Sequence, residues 1–277
     1  MSAFVDLHLH TCYSDGADTP AELAARAAAL GFAAIAVTDH DTVEGLAEAR
    51  TAAEAHGMAF LDGVEISTRF NGNELHVVGL GIRPDHAGLL DALGRLRERR
   101  TERADAILAK LRQEGIPVTR EQVLFRSGEG AIGRVHIAQE LHAQGYAGSV
   151  QKAFEKYIGK GKRAFVAKDC MPCGEAVDLI HAAGGLAFIA HPGVGKTVER
   201  QLPRLLSLPF DGIEVYHSKH TPGHVTAFLQ VAEEHGLLVS GGSDCHGAAK
   251  GLDPELGKVR VPYTRFEAIA ERLAQPR

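Results

Sequence analysis

Val5-Asp6-Leu7-His8-Leu9-His10-Thr11-Cys12-Tyr13-Ser14-Asp15-Gly16 lies at the start of the chain, and the fold is read outward from it. Apolar Val5, Leu7 and Leu9 alternate with Asp6, His8 and His10, which is the period of a β-strand. That alternation sends His8 and His10 to one side of the strand, two residues apart. Two neighbouring imidazoles gain little from packing together, but they suit one metal ion. Asp15 follows in a turn marked by Ser14 and Gly16, just beyond the strand. Taken alone, His8 and His10 fit a polar edge strand with satisfied histidines equally well. The rest of the chain decides between the two readings.

Thr19-Pro20-Ala21-Glu22 supplies an N-cap and a proline at the first helical position, so a helix follows and ends at Gly31. Residues 32–38 are a continuous apolar run, as in a strand buried on both faces, and end in Asp39-His40-Asp41. A helix over about 43–56 leads to a strand over 58–66 that carries Glu65 near its end. Asn71-Gly72-Asn73 signals a turn, and the next strand, 74–80, holds His76. Strand and helix alternate here as in a parallel α/β sheet or barrel. From about 89 to 161 the patterns are mainly helical, which predicts an insertion. The alternation resumes with a helix near 173–183 and a strand over 186–190 that ends in His191-Pro192. A strand over 212–216, a helix to His235 and a strand from 237 then lead to Gly241-Gly242-Ser243-Asp244-Cys245-His246.

His8, His10 and Asp15, Asp39 and His40, Glu65, His76, His191, and Asp244 and His246 thus fall in or at the ends of successive strands. In a parallel barrel those strand ends meet on one face, where active sites form. Burying so many such side chains together without cations would be very costly, and divalent metals remove that cost by accepting the lone pairs.

At 277 residues the chain fits one large α/β barrel or two ordinary domains. Trp is absent and aromatics make up 6%, so Val, Ile, Leu and Ala must build the core. No apolar run approaches a transmembrane length and no signal peptide precedes the first strand, so a cytoplasmic protein is expected. Cys12, Cys170, Cys173 and Cys245 form no disulfide framework, and Cys170-Met-Pro-Cys173 lacks the second pair of a four-thiolate zinc site. Residues 95–168 hold 16 Lys/Arg against 8 Asp/Glu, a local net of +8 in a chain whose net charge is −5. A basic block in an acidic protein points to an anionic ligand. The mixed signs of 95–103 instead predict a solvated helix face over much of that stretch.

His8-Leu9-His10-Thr11-Cys12-Tyr13-Ser14-Asp15-Gly16, Thr38-Asp39-His40-Asp41, Gly63-Val64-Glu65, Ala190-His191-Pro192 and Gly242-Ser243-Asp244-Cys245-His246 together resemble the PHP (polymerase and histidinol phosphatase) family. The resemblance implies a distorted (β/α)7 barrel over 1–90 and 165–277, with a helical insertion over 91–164 that caps the site and selects substrate. It also implies phosphoesterase chemistry on two or three divalent metals. His8 and His10 would bind the first with Glu65 and Asp244. Glu65 would bridge to a second held by His76 and His191, and Asp15, His40 and His246 would hold the third. Nitrogen and carboxylate donors without thiolate suit Mn²⁺ first, then Fe²⁺ or Zn²⁺, over Ca²⁺. Closely spaced metals would form a bridging hydroxide that attacks phosphorus, so no protein nucleophile is needed. None is apparent as a Ser-His-Asp or activated-Cys arrangement. Cys245, between two ligands, is expected to point away from them if the backbone there stays extended; the direction of Cys12 is open.

Ile132-Gly133-Arg134-Val135-His136-Ile137-Ala138, with Lys160-Gly161-Lys162-Arg163-Ala164-Phe165-Val166 downstream, resembles the PHP subgroup that carries a helical insertion. That subgroup includes phosphatases of nucleoside 3′,5′-bisphosphates and relatives that trim short RNA from its 5′ end. Arg134 offers a planar donor fork to a terminal phosphate, Lys168 a point charge, and Ser127 a weaker contact. His217 is expected to face the metals, there to bind phosphate or protonate the leaving oxygen; His136 is expected to cap or pack in its own helix. The expected activity is removal of the 3′-phosphate from a nucleotide such as adenosine 3′,5′-bisphosphate, with no membrane and no obligate protein partner. The alternatives are a 5′-to-3′ exonuclease on short oligonucleotides, a histidinol phosphatase, a cyclic-phosphate diesterase and a non-catalytic nucleotide-binding module.

Overall fold

The computed structural model describes residues 3–127, 132–249 and 255–276, with the side chains of 127 and 249 excepted. Its sheet grows from β1 (Phe4–Leu9), which pairs in parallel with β2 (Ala34–Val37), and β2 pairs in parallel with β3 (Ala59–Phe70). A two-residue turn, Asn71 (φ 48°) and Gly72 (φ 76°), folds β3 back onto β4 (Asn73–Leu80). Two consecutive positive φ angles are what a tight hairpin needs, and Asn-Gly supplies them with little strain. β4 is therefore antiparallel to both its neighbours, β3 and β6 (Leu186–Ile189), a departure from the parallel order expected of successive strands. Its reversal brings His76 to the rim from the N-terminal half of its strand.

β6, β7 (Gly212–His217) and β8 (Leu238–Gly242) continue in parallel. The ring closes where the residues after β8 meet the end of β1: Asp244 N–H donates to His8 O at 2.9 Å, and His10 N–H to Cys245 O at 3.1 Å. Gly242 permits this approach, because a Cβ there would run into the backbone of His8 and the carboxylate of Asp6. β5 (Met171–Pro172) lies beside β3, and β9 (Val261–Pro262) beside the start of β1.

Helices either pack on this sheet or build the insertion beside it. They are α1 (Pro20–Ala29, N-capped by Thr19), α2 (Leu46–Ala55), α3 (Ala87–Gln113), α4 (Arg120–Ser127), α5 (Arg134–Ala143) and α6 (Val150–Ala153) with a π turn over Phe154–Ile158. α7 (Cys173–Ala182), α8 (Lys196–Leu205), α9 (Pro222–His235) and α10 (Tyr263–Leu273) complete the set. Val5 and Leu7 pack with Phe188 and with Phe266 of α10, whereas Leu9 packs with Leu23 of α1 and Ala49 of α2. Strict alternation predicts all three on one side; the register against β2 slips between Asp6 and Leu9 and divides them. A separate core forms from Ala104, Ile107, Leu108 and Leu111 of α3 with Ile137 and Leu141 of α5. The N-terminal half of α3 (Leu89, Leu93, Leu96) belongs to the barrel's core instead, so this helix carries one core to the other. Among the described residues, no helix is long and apolar enough to cross a membrane.

Candidate metal centre and its cleft

The strand ends bring His8, His10, Asp15, His40, Glu65, His76, His191, Asp244 and His246 to one rim, around the fully buried carboxylate of Glu65. Glu65 Oε2 faces His8 Nε2 (3.3 Å), His10 Nε2 (3.2 Å) and His40 Nδ1 (2.9 Å). Its Oε1 faces His76 Nδ1 (2.8 Å) and His191 Nε2 (2.9 Å). Asp244 Oδ1 lies 3.1 Å from His10 Nε2, and Asp15 Oδ1 lies 3.0 Å from His246 Nε2. His40 reaches both ways, since its Nε2 is 3.9 Å from Asp15.

Three overlapping donor sets result: His8, His10, Glu65 and Asp244; His10, Asp15, His40 and His246; and His40, Glu65 and His76. His191 joins the last through Glu65 Oε1. Three rim residues have positive φ, Asp41 (55°), His191 (29°) and Asp244 (55°), the kind of strain that persists at functional sites. The bend at Asp244 means the backbone is not extended there, yet Cys245 still points into the apolar core.

Polar side chains outside this cluster hold it in place. Asp39 accepts from Thr11 N–H (2.8 Å), Thr11 Oγ1–H (2.6 Å) and the Ser14 hydroxyl, which pins the loop that presents Asp15. Asp6 accepts from Ser243 N–H at 2.9 Å beside the closure, and burial raises its pKa to about 6. Burial would also raise the carboxyls of Glu65 and Asp244, but the surrounding imidazoles hold both well below their ordinary range. At His10, burial works against the charged ring, and the Asp244 and Glu65 carboxylates override it to hold the pKa at about 9. Burial prevails at His40 and pushes it down to about 3. The carboxylates and imidazoles of the rim thus set one another's charge, with burial opposing both.

These donors fit divalent cations. His8 Nε2, His10 Nε2, His40 Nδ1, His76 Nδ1 and Glu65 Oε2 are buried and make no hydrogen bond, and a cation bound among them would be the partner they lack. In the first set the measured nitrogen–oxygen separations run from 3.1 to 3.7 Å. Tetrahedral ligands at about 2.0–2.2 Å from one ion stand about 3.3–3.6 Å apart, which matches.

A cleft of about 870 Å³ opens over the rim. Asp15, His40, His76 and His191 line it together with Arg100, Arg103, Arg134, Lys160, Lys168, Phe154 and Phe165. Arg134 sits 5.7 Å over the Phe154 ring and has no carboxylate partner among the described residues. Lys168 donates to the Ser67 hydroxyl, and burial, then the neighbouring Arg100, lowers its pKa to about 8. His217 is buried at the end of β7, 3.5 Å from Asp244 Oδ2, and its Nδ1 accepts from Lys219 N–H at 3.1 Å. His136 caps its own helix by accepting from Gly133 N–H at 3.1 Å. The side chain of Ser127 lies outside the described residues.

Two departures from the sequence reading follow. The 95–103 stretch is not simply a solvated face: Arg100 is largely buried, donates to Asp41 Oδ2 (2.6–2.7 Å) and to Ser67 Oγ (3.0 Å), and lines the cleft. Positive φ at Asp41 turns its carboxylate toward α3, and an exposed run of charges gives no hint of that. The second is Glu214, whose Oε1 accepts from His8 Nδ1–H at 2.9 Å and whose Oε2 accepts from His191 N–H at 2.6 Å. A lone glutamate inside the apolar strand Gly-Ile-Glu-Val-Tyr was the available signal.

Comparison with known proteins agrees with this geometry. Residues 6–115 match the family model of the PHP domain. The chain is 39% identical over 254 residues to the 3′,5′-nucleoside bisphosphate phosphatase of Chromobacterium violaceum, covering 90% of this chain and 89% of that protein. It is 36% identical over 277 residues to the 5′-3′ exoribonuclease Rnm of Escherichia coli, covering 98% and 94% respectively. A solved protein of Bifidobacterium adolescentis assigned to the metal-dependent phosphoesterases superposes with a TM-score of 0.90 at 30% identity, over 98% of this chain and 97% of that one.

Proposed function

The chain belongs to the PHP family, and from that premise we propose that it removes the 3′-phosphate of nucleoside 3′,5′-bisphosphates, leaving the 5′-monophosphate. The broader activity is metal-dependent phosphoester hydrolysis. One observation supports the finer reading: a single cleft is lined both by residues of the donor cluster and by cationic side chains that are not metal ligands, Arg134, Lys160 and Lys168, the last bonded to Ser67 beside His76. A substrate with two phosphates can engage the donor cluster and the cationic side chains at once.

His8, His10, Glu65 and Asp244 would hold one cation, Glu65 with His76 and His191 a second, and Asp15, His40 and His246 a third. Bound there, the cations supply a water of lowered pKa and a Lewis acid for the phosphoryl oxygens. The chain's own groups do the rest. His217 Nδ1 is occupied by the Lys219 N–H, so a neutral ring carries its proton on Nε2, facing the rim. From there it can donate a hydrogen bond to a phosphoryl oxygen. Arg134, from the insertion over 91–164, and Lys168, just beyond it, bind the phosphate that is not cleaved, and the insertion acts through Arg134 as a selecting cap.

Arg134→Ala is expected to raise KM for a bisphosphate and to leave hydrolysis of an aryl phosphate nearly unchanged. A charge-assisted fork is worth roughly 1.5–3 kcal/mol, so a tenfold or greater fall in kcat/KM is expected. Equal losses on both substrates would place Arg134 at the reacting phosphate instead. Lys168 adds a pH signature. Its charged form is lost as pH rises through about 8, so kcat/KM for the bisphosphate should decline above that pH. Lys168→Arg keeps its charge and should move that limb upward; an unchanged profile would remove Lys168 from phosphate binding.

The likeness to the exoribonuclease, spread over nearly the whole chain, favours short oligonucleotides as a second reading. Comparing kcat/KM for adenosine 3′,5′-bisphosphate with that for 5′-phosphorylated di- and tri-ribonucleotides decides between them. Preference for the oligonucleotides by a large factor would overturn the phosphatase reading.

A further inference from the structure

Two candidate ligands on different strands share one support. Glu214, buried in mid-β7, points one carboxylate oxygen at the His8 ring and the other at the His191 backbone, at 2.9 and 2.6 Å. A carboxylate only accepts, so His8 carries its proton on Nδ1. That leaves the Nε2 lone pair facing Glu65 (3.3 Å) and Asp244 (3.7 Å). At His191, whose φ is 29°, the same carboxylate anchors a backbone conformation that few non-glycine residues adopt. Two residues later, Gly193 N–H donates to His220 Nε2 at 3.0 Å, and His220 Nδ1–H donates to Val215 O at 2.8 Å. The loop over 191–193 is thus held at both ends from adjacent residues of β7.

We propose that Glu214 is a positioning residue that sets the His8 tautomer and the His191 backbone together, and so links donors that face opposite oxygens of Glu65. The inference rests on the metal-dependent reading above. Glutamine cannot replace it. With its amide oxygen on the His191 N–H, its NH₂ group faces His8 Nδ1 and requires that nitrogen to accept. The His8 proton then moves to Nε2, the atom that must bind metal. The reverse orientation sets an NH₂ donor against the His191 N–H donor.

The test uses wild type and Glu214→Gln, both stripped of metal and titrated with Mn²⁺ while free Mn²⁺ is followed by electron paramagnetic resonance. Supporting-group changes of this kind cost about 10–100-fold in metal affinity, and a loss of that size is expected in Glu214→Gln. Long-range proton–nitrogen NMR of ¹⁵N-histidine-labelled, zinc-loaded wild type should show His8 protonated on Nδ1 and coordinated through Nε2. A purely structural role would not produce that signature. A folded Glu214→Gln with wild-type Mn²⁺ affinity and stoichiometry would overturn the proposal, as would coordination of His8 through Nδ1. Should the variant not fold, the wild-type spectrum decides alone. Wild type that binds neither Mn²⁺ nor Zn²⁺ would bring down the metal-dependent reading itself, an outcome distinct from an unaffected variant.

Discussion

Asp244→Asn is expected to abolish turnover on every phosphoester while the barrel stays folded. Asp244 Oδ1 lies 3.1 Å from His10 Nε2 and 3.7 Å from His8 Nε2, inside the donor set that also contains Glu65. The amide keeps the shape but removes the negative charge, and a neutral oxygen is a poor match for a divalent cation. Groups that merely orient a ligand already cost about 10–100-fold in metal affinity, so losing a direct ligand should cost activity by about a thousandfold or more. The fold should survive because the closure depends on backbone bonds, Asp244 N–H to His8 O and His10 N–H to Cys245 O, which asparagine preserves. Steady-state kinetics, circular dichroism and elemental analysis together check this. A folded Asp244→Asn with near wild-type kcat would remove Asp244 from the centre. Chelation of the wild type should reproduce the loss, and Mn²⁺ should restore activity; full activity in protein shown to be metal-free would end the metal-dependent reading.

Much of this rim was legible because its residues break the logic of their surroundings. His8 and His10 interrupt an apolar strand, and Glu65, His76, His191 and Asp244 sit where burial without a counter-ion would be ruinous. What stayed hidden depends on distance along the chain and on backbone angle. Glu214 meets His8 from 206 residues away, and no local pattern encodes that pairing. Arg100 looked like its neighbours, and what sets it apart is a partner 59 residues away, Asp41. The reversal of β4 was written in Asn71-Gly72, yet a turn signal alone does not give strand direction; the two-residue hairpin length does. α8 was masked by Pro203 inside it, a residue that ordinarily argues against a helix interior.

The regiochemistry of the reaction should show how the donor cluster and the cationic side chains of the cleft cooperate. On the proposed reading only the phosphate at the donor cluster is hydrolysed, because Arg134 and Lys168 offer charge but are not among the metal-ligand sets. The phosphate held there supplies binding energy that positions the other one for attack. Adenosine 3′,5′-bisphosphate should therefore yield adenosine 5′-monophosphate and inorganic phosphate. Adenosine 3′-monophosphate lacks the anchor and loses two charge-assisted contacts, each worth roughly 1.5–3 kcal/mol, so its kcat/KM should be lower by about a hundredfold or more. In Arg134→Ala that gap should narrow, since the anchor is then weakened for the bisphosphate while the monophosphate never used it. Phosphorus NMR of the products reads the outcome, and ¹⁸O-water should deliver its label to the released phosphate, as attack at phosphorus requires. Release of the 5′-phosphate would reverse the assigned orientation in the cleft. Equal kcat/KM for the bisphosphate and the 3′-monophosphate would show that Arg134 and Lys168 hold no spectator phosphate, and the bisphosphate reading would fall with them.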